Sequence, residues 1–152
     1  MIDILIVRDP RESARKCSLT PLRGMAGIRF VAYDPERRVD AGRRVLLHAD
    51  GELLGVRDRG TPLLLVDCAW RRVPQVLATI DGELMPRRLP ELATAYPRAS
   101  KLFEDPERGL ASVEALYAAL ALLGERREEV LSNYRWARRF LEINPTIGPE
   151  ER

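Results

Sequence analysis

The chain has 152 residues, of which 45% are apolar and 32% charged, a composition normal for one globular domain with an ordinary core. Its formal net charge is only +2, so the whole molecule is not a polycation. Two cysteines, Cys17 and Cys68, and the single histidine, His48, lie in three separate segments. That spacing argues against a zinc site and against a histidine-based catalytic triad.

The longest apolar run, residues 115–123, is far shorter than the ~18 residues that a membrane span needs. The opening residues MIDILIV lack a basic leader, so we expect no signal peptide and a cytoplasmic location. We also expect a monomer that uses no metal. Nearly all the positive charge is arginine, whose planar fork suits phosphate, although a genome that prefers arginine codons explains this bias equally well.

Four strands are predicted in the first half of the chain. Residues 2–7 and 28–33 are rich in β-branched and aromatic side chains, and residues 45–48 continue the pattern up to an Asp50-Gly51 turn. The wholly apolar run at residues 63–66 is typical of a strand buried on both faces.

Helices are predicted mainly in the second half. Residues 70–78 have helical spacing that Pro74 interrupts, and Asp81-Gly82 reads as a turn. Residues 87–96 are interpreted as a strand end followed by a helix, and residues 97–109 as a loop.

The strongest helix signal covers residues 113–123, with Ser112 as its N-cap and Gly124 after its end. One or two amphipathic helices are predicted over residues 128–144, before Pro145. The pattern as a whole predicts a single α/β domain with a helical C-terminal third.

An acid and an indole follow the most buried predicted strand. Asp67 comes directly after the apolar run and Trp70 lies three residues further on. Ligands of open α/β sheets bind beyond the carboxyl ends of the strands, and this pair suits a cationic ligand. The alternative is that Asp67 caps the next helix and Trp70 fills the core.

Four motifs in this order resemble those of the ribosome-biogenesis aminocarboxypropyltransferases, which modify a pseudouridine in small-subunit ribosomal RNA. The motifs are VDCAW (66–70), RRLPELATAYP (87–97), GLASVEALYAALALLG (109–124) and NYRWARRFLEIN (133–144). The loop that begins at Asp9 and contains Lys16-Cys17-Ser18 is similar to an N-terminal loop of the same family.

The resemblance implies a SPOUT-type α/β fold with a C-terminal trefoil knot that holds S-adenosylmethionine. Residues 1–60 would form an N-terminal α/β part with an RNA-facing basic loop, and residues 61–152 the knotted cofactor-binding part of one compact unit. The implied reaction moves the 3-amino-3-carboxypropyl group of S-adenosylmethionine to N3 of a uridine-type base.

Departures from the family pattern keep other functions open. The Tyr96–Ser100 loop differs and is longer, Ala69 replaces a serine, and Trp136-Ala137 replaces a Trp-Gly pair. The alternatives are the same transfer onto transfer RNA, as in the DTW-domain relatives, a SPOUT RNA methyltransferase, and a non-catalytic RNA- or ribosome-binding protein.

Asp67 is the candidate catalytic residue, either as the base that accepts the N3 proton or as a group that holds the cofactor's amino group. Trp70 is expected to pack on the methyl and sulfonium side of the cofactor. The helix start at Ala111 and Ser112 would bind the cofactor's carboxylate. Glu114 would either bind the cofactor's α-amino group or only complement the helix dipole. The resemblance adds a further set of cofactor positions, namely Ser18, Leu47, Val66, Leu89 and Ser100.

For RNA, we expect phosphate contacts from an N-terminal basic cluster of Arg8, Arg11, Arg15 and Lys16. Three arginine pairs, at residues 71–72, 87–88 and 138–139, are interpreted mostly as solvated surface.

Overall fold

The computed structural model describes residues 1–12, 17–97 and 110–148. Its five strands are β1 (Ile4–Arg8), β2 (Ile28–Ala32), β3 (Val39–Leu53), β4 (Leu63–Asp67) and β5 (Ile80–Arg88). Its three α-helices are α1 (Val73–Leu77), α2 (Ser112–Leu122) and α3 (Ala137–Ile143). Short 3-10 turns cover Thr20–Leu22, Val56–Asp58, Trp70–Arg72, Glu128–Leu131 and Pro145–Ile147.

All five strands are parallel and form one sheet in the order β2-β1-β4-β3-β5. β4 therefore lies between β1 and β3, although both of those strands precede it in the chain. The carboxyl ends of the three central strands meet at one edge of the sheet, which is where parallel α/β domains bind ligands.

Both faces of the sheet are covered, as the continuous apolar runs of the central strands require. Ile4, Ile6 and Leu65 pack on the face that α2 covers, while Leu5 and Leu64 point into a second, smaller core on the other face. This alternation follows directly from the two-residue period of a strand.

α2 is the main helix of the larger core, and seven of its eleven residues are buried. Tyr117 is fully buried there and meets the ring of Phe140 edge to face, with centroids 6.5 Å apart. The helix ends before Gly124, whose φ of 102° lies in the left-handed region that favours glycine. Among the described residues, no helix is long and apolar enough to span a membrane.

Three of the predicted strands are confirmed as β1, β2 and β4, and the predicted helix over residues 113–123 is confirmed as α2. β3 is longer than predicted and continues through Asp50-Gly51, where its pairing with β5 shifts register between Leu47 and Glu52. The predicted Asp81-Gly82 turn lies inside β5, and the described residues after Arg88 form no helix before residue 97.

The prediction of a SPOUT-like domain with a C-terminal trefoil knot and a helical C-terminal third is corrected. The described residues form a five-stranded parallel α/β domain, and its strand order does not establish a knot. In the C-terminal third they contain two α-helices, of 11 and 7 residues, separated by turns. Apolar periodicity predicts local elements but not the path of the connections, so the knot depended entirely on the family resemblance.

Candidate functional site

The carboxyl ends of β1 and β4 bring two charged side chains together. Arg8 and Asp67 end their strands and are directly paired in the register of the sheet. The Arg8 Nε donates a hydrogen bond of 2.9 Å to Asp67 Oδ2, and both side chains are largely buried. The Arg8 guanidinium also lies 4.8 Å from the centroid of the Phe30 ring on β2. The Asp67 carboxylate is therefore held in one orientation.

A cavity of about 380 Å³ lies above these strand ends and reaches the first turn of α2. Its walls are mostly apolar, and Asp67 is one of two carboxylates in its lining. The lining residues are Leu19, Leu47, His48, Ala49, Leu65, Val66, Asp67, Arg88, Leu89, Pro90, Glu91, Leu92, Leu110, Ser112 and Ala115. A small number of polar groups in an apolar cleft is typical of a small-molecule site.

The thiol of Cys17 also contacts the Asp67 carboxylate. It lies 3.2 Å from Asp67 Oδ2 and 3.4 Å from Arg8 Nη2. Burial raises the pKa of Cys17 to about 11, and the nearby charge of Asp67 adds to the rise, while the backbone N–H of Leu19 and the charge of Arg8 oppose it. The group is therefore a protonated thiol at neutral pH, and it donates to the carboxylate.

The start of α2 is held by a side chain from another segment. Ser18 Oγ accepts a hydrogen bond of 3.0 Å from the backbone N–H of Val113 and so acts as the cap. Ser112, predicted as the N-cap, is the first helical residue, and Ala111 precedes it. Ser112 lines the cavity, whereas Ser18 and Ala111 support the helix start beside it.

Glu114 has a structural role in this turn. It is fully buried, and its carboxylate accepts hydrogen bonds from the Thr94 hydroxyl at 2.6 Å and from the backbone N–H groups of Ala95 and Ala111 at 2.9 and 2.8 Å. Glu114 does not line the cavity. The geometry therefore argues against Glu114 as a ligand for the α-amino group.

Trp70 lies at the rim of a neighbouring cavity of about 470 Å³. The two cavities share Leu47, His48, Ala49 and Val66 as a common wall. Trp70 is 49% exposed, which excludes the alternative that it fills the core.

The turn that carries Trp70 is anchored by an ion pair. Arg72 Nε donates to Asp9 Oδ2 at 2.5 Å, and Asp9 is buried in the loop after β1. The backbone N–H of Asp9 also donates to the Asp67 carbonyl at 2.9 Å. Trp70 is thus held next to the strand end that carries the acid.

The structure brings together five of the ten predicted cofactor positions. Leu47, Val66, Asp67, Leu89 and Ser112 line the first cavity. Ser100 lies outside the described residues, so its predicted role stays a prediction.

The predicted RNA-binding cluster is only partly described. Arg8 is 7% exposed and paired with Asp67, so its guanidinium is engaged inside the protein and is not a surface phosphate contact. Arg11 is exposed and stays a prediction. Arg15 and Lys16 lie outside the described residues.

Several lining residues were not predicted from the sequence. His48 and Ala49 follow the part of β3 that pairs with β4, and Arg88 ends β5, which pairs with the other side of β3. Both segments reach the cavity because they lie at the carboxyl ends of these neighbouring strands. The imidazole of His48 accepts a hydrogen bond at Nδ1 from the backbone N–H of Asp50 at 3.0 Å. These lining residues could have been predicted only from the order of the strands in the sheet.

The fold and the site together define a class: a parallel α/β domain with a ligand cavity at the carboxyl ends of its strands and a carboxylate inside it. The chain belongs to the family described as ribosome biogenesis protein, C-terminal, whose model matches residues 40–147.

Two similar proteins from other organisms share one name. The chain is 38% identical over 111 residues to a 16S rRNA aminocarboxypropyltransferase of Halobacterium salinarum, an alignment that covers 71% of this chain and 62% of that protein. It is 39% identical over 84 residues to a protein of the same name from Methanopyrus kandleri, covering 54% and 47%. The chain thus spans less than two thirds of the length of these relatives.

A solved structure matches over nearly the whole chain. It is the SAM-dependent rRNA:acp-transferase Tsr3 from Vulcanisaeta distributa, with a TM-score of 0.71, 28% identity, and coverage of 96% of this chain and 80% of that one. This similarity supports the five-stranded α/β domain described above.

Proposed function

We propose that this protein transfers the 3-amino-3-carboxypropyl group of S-adenosylmethionine to N3 of a uridine-type base, a pseudouridine or uridine, in small-subunit ribosomal RNA. The observation that carries the proposal is the placement of Asp67 in a largely apolar cavity beside the start of α2. The names of the relatives and of the structural neighbour support the same reaction and the same substrate.

The cavity fits S-adenosylmethionine by size and chemistry. Its volume of about 380 Å³ falls within the roughly 300–1,000 Å³ typical of ligand pockets. Leu47, Val66 and Leu89 offer apolar walls to the adenine, and Asp67 offers a negative charge to the cationic part. Ser112 opens α2 at the cavity wall, so the positive end of the helix lies near a place for the carboxylate.

Bound S-adenosylmethionine supplies the transferred group and leaves methylthioadenosine behind. The protein's own contribution is orientation and proton transfer. Arg8 and Cys17 both donate to Asp67 Oδ2, while Oδ1 accepts no hydrogen bond from the described residues. Asp67 Oδ1 is therefore the atom that accepts the N3 proton of the target base as the new N–C bond forms.

The test uses S-adenosylmethionine labelled either in the methyl group or in the carboxypropyl group, with small-subunit ribosomal RNA and total transfer RNA as separate acceptors. We expect label in ribosomal RNA from the carboxypropyl position alone. Label from the methyl position would indicate a methyltransferase, and label in transfer RNA would indicate the other acceptor. No label in either RNA, with S-adenosylmethionine and RNA both bound, would indicate a non-catalytic RNA-binding protein.

We further propose that the protein acts in the cytoplasm as a monomer without a resident metal. Among the described residues, no group of three or more His, Cys, Asp or Glu side chains could hold a metal ion, which supports the last point. Light scattering on the purified protein tests the monomer. Elemental analysis of the same sample, with transfer assayed after chelation, tests the independence from metal.

A further inference from the structure

An aromatic pair, one exposed ring and one half-buried ring, lies beside the start of α3. Tyr96 is 42% exposed and meets the ring of Trp136 edge to face, with centroids 5.2 Å apart and an interplanar angle of 75°. Tyr134 contacts the same indole, with centroids 5.7 Å apart. The guanidinium of Arg135 lies 5.5 Å from the Trp136 ring centroid. We call Tyr96, Arg135 and Trp136 the aromatic patch.

The arginines next to the aromatic patch have no carboxylate partner among the residues that the structure describes. Arg135, Arg138 and Arg139 are all exposed, and within the described part of the chain none of them forms an ion pair with a carboxylate. Some exposed arginines elsewhere are paired, as Arg38 is with Asp81 at 2.6 Å and Arg57 with Glu52 at 2.6 Å, whereas others such as Arg29 form no ion pair with a described carboxylate. The region around α3 therefore offers an anionic partner positive charge that no described carboxylate neutralises.

The aromatic patch is held close to the cavity by two buried polar side chains. Asn144 donates from Nδ2 to the Ala93 carbonyl at 2.8 Å and accepts at Oδ1 from the Ala93 N–H at 2.9 Å. Glu114 accepts from the Thr94 hydroxyl and the Ala95 N–H, as described above. These bonds fix the segment between Leu92, which lines the cavity, and Tyr96. Because four residues span at most about 14 Å, the backbone of Tyr96 lies within that distance of the cavity residue Leu92.

We propose that the aromatic patch binds unpaired bases of the RNA that flank the target nucleotide. A base stacks on the exposed face of Tyr96 beside Trp136, and the phosphates on either side are bound by Arg135, Arg138 and Arg139. Aromatic rings interleaved with unpaired arginines are the usual means of holding single-stranded nucleic acid, because every base has a stacking face and every nucleotide a phosphate. The inference rests on the proposed function in one respect, that the substrate is RNA.

Tryptophan fluorescence tests the contact directly, because the chain has two tryptophans. In a Trp70→Phe variant the only indole is Trp136, and its emission reports on the patch. We expect an unstructured oligouridine of about 12 nucleotides, a length within known site sizes, to quench this emission. Inorganic polyphosphate of similar charge should bind without quenching it. Equal quenching by both, or none by the oligouridine, would overturn the proposal.

Affinity is measured with Trp70 intact, by anisotropy of a labelled oligouridine. We expect Tyr96→Ala to weaken binding about tenfold, the loss typical of one stacked base, and Tyr96→Phe to restore it. Arg135→Gln should weaken binding and reduce its dependence on salt. Arg29→Gln is the matched control, because Arg29 is exposed on β2, at the opposite edge of the sheet from β5.

Other results separate this inference from the proposed function. Suppose that oligouridine quenches Trp136 and that Tyr96→Ala weakens binding, but that the parent protein transfers no group to RNA. The inference about the aromatic patch would then hold, and the proposed transferase function would be wrong. Normal transfer by Tyr96→Ala, with an unchanged KM for RNA, would support the transferase function and contradict the inference about the aromatic patch. An equal loss in the Arg29→Gln control would show that only general charge matters. The thermal unfolding temperatures of Tyr96→Ala and Tyr96→Phe must match that of the parent protein. An unchanged affinity for oligouridine in a folded Tyr96→Ala variant would overturn the inference.

Discussion

The two oxygens of the Asp67 carboxylate have different surroundings. Oδ2 accepts from Arg8 Nε and Cys17 Sγ, and Oδ1 accepts from no described residue. An amide in place of the carboxylate keeps nearly the same shape but cannot accept a proton at neutral pH. The asymmetry favours a group positioned for proton transfer over one whose only task is to hold the cofactor's amino group.

We therefore expect Asp67→Asn to lower the transfer rate roughly 10²–10⁴-fold, the range usual for loss of a general base. Affinity for S-adenosylmethionine should change much less. Single-turnover kinetics and calorimetric titration measure the two effects separately. Asp81→Asn serves as a control, since Asp81 forms an exposed ion pair with Arg38 and does not line the cavity. Parallel loss of rate and cofactor affinity would instead make Asp67 a cofactor-binding group.

Cys17 provides a prediction on pH. The ordinary thiol pKa of 9.0 is raised to about 11 in the folded protein, mainly by burial. At pH 8 the folded protein should contain about 100-fold less Cys17 thiolate than a free thiol, so iodoacetamide should alkylate it correspondingly slowly. The measurement uses a Cys68→Ser variant and follows the rate with pH. Alkylation at the rate of a free thiol would contradict the assigned environment.

The same shift has a consequence for stability. Between pH 9 and 11 the unfolded chain loses the Cys17 proton while the folded protein keeps it. The folded state then binds more protons, so the contribution of this group to the free energy of unfolding falls as pH rises through that range. Denaturant unfolding of Cys68→Ser with Cys17 present or replaced by Ala isolates the contribution.

At the scale of elements, α2 depends on a cap from a distant part of the chain. Ser18 Oγ accepts from the Val113 N–H across 95 positions of sequence. We expect Ser18→Ala to lower the free energy of unfolding by about 1 kcal/mol, the usual cost of a lost N-cap. Urea unfolding followed by circular dichroism measures it. Ser132→Ala is the matched control, because Ser132 is exposed after a 3-10 turn. Equal stability of both variants would show that the Ser18 bond does not form.

The elements predicted correctly are those whose local pattern agrees with their place in the fold. β4 is an unbroken apolar run because it is buried on both faces at the centre of the sheet. Only the end of β5, at residues 87–88, was predicted as strand, because the rest contains Gly82 and Pro86, which normally interrupt a strand. β5 is an edge strand, where proline is tolerated, and Gly82 passes so close to Gly42 that a Cβ would lie 2.3 Å from its carbonyl oxygen.

At the scale of the whole molecule, the candidate site could be predicted only where one segment contained it. Asp67 was found because a strand end and an acid are adjacent in sequence. The contact of Asp67 with Arg8 and the contribution of His48 depend on β1 and β3 lying on either side of β4. Periodicity contains no information on strand order, so these contacts could not be derived from it.

Strand order also makes the chain indivisible. Residues 1–60 contain β1, β2 and β3, and residues 61–152 contain β4 and β5. Because β4 lies between β1 and β3, the first part alone would have a gap in the middle of its sheet, and the second part would have two strands that are not neighbours. The apolar faces of Leu63, Leu64 and Leu65 on β4 are fully or nearly fully buried only when both parts are present.

We therefore expect neither residues 1–60 nor residues 61–152 to fold when produced alone, while the whole chain unfolds in a single cooperative transition. Coincident urea transitions by circular dichroism and by tryptophan fluorescence would measure the cooperativity. Amide chemical-shift dispersion in NMR spectra of each part would report on its folding, and a mixture of the two parts is the control, since it contains every strand. A dispersed spectrum from either part alone would show that the two parts are separate folding units, and the interleaved sheet would then not be what stabilises the protein.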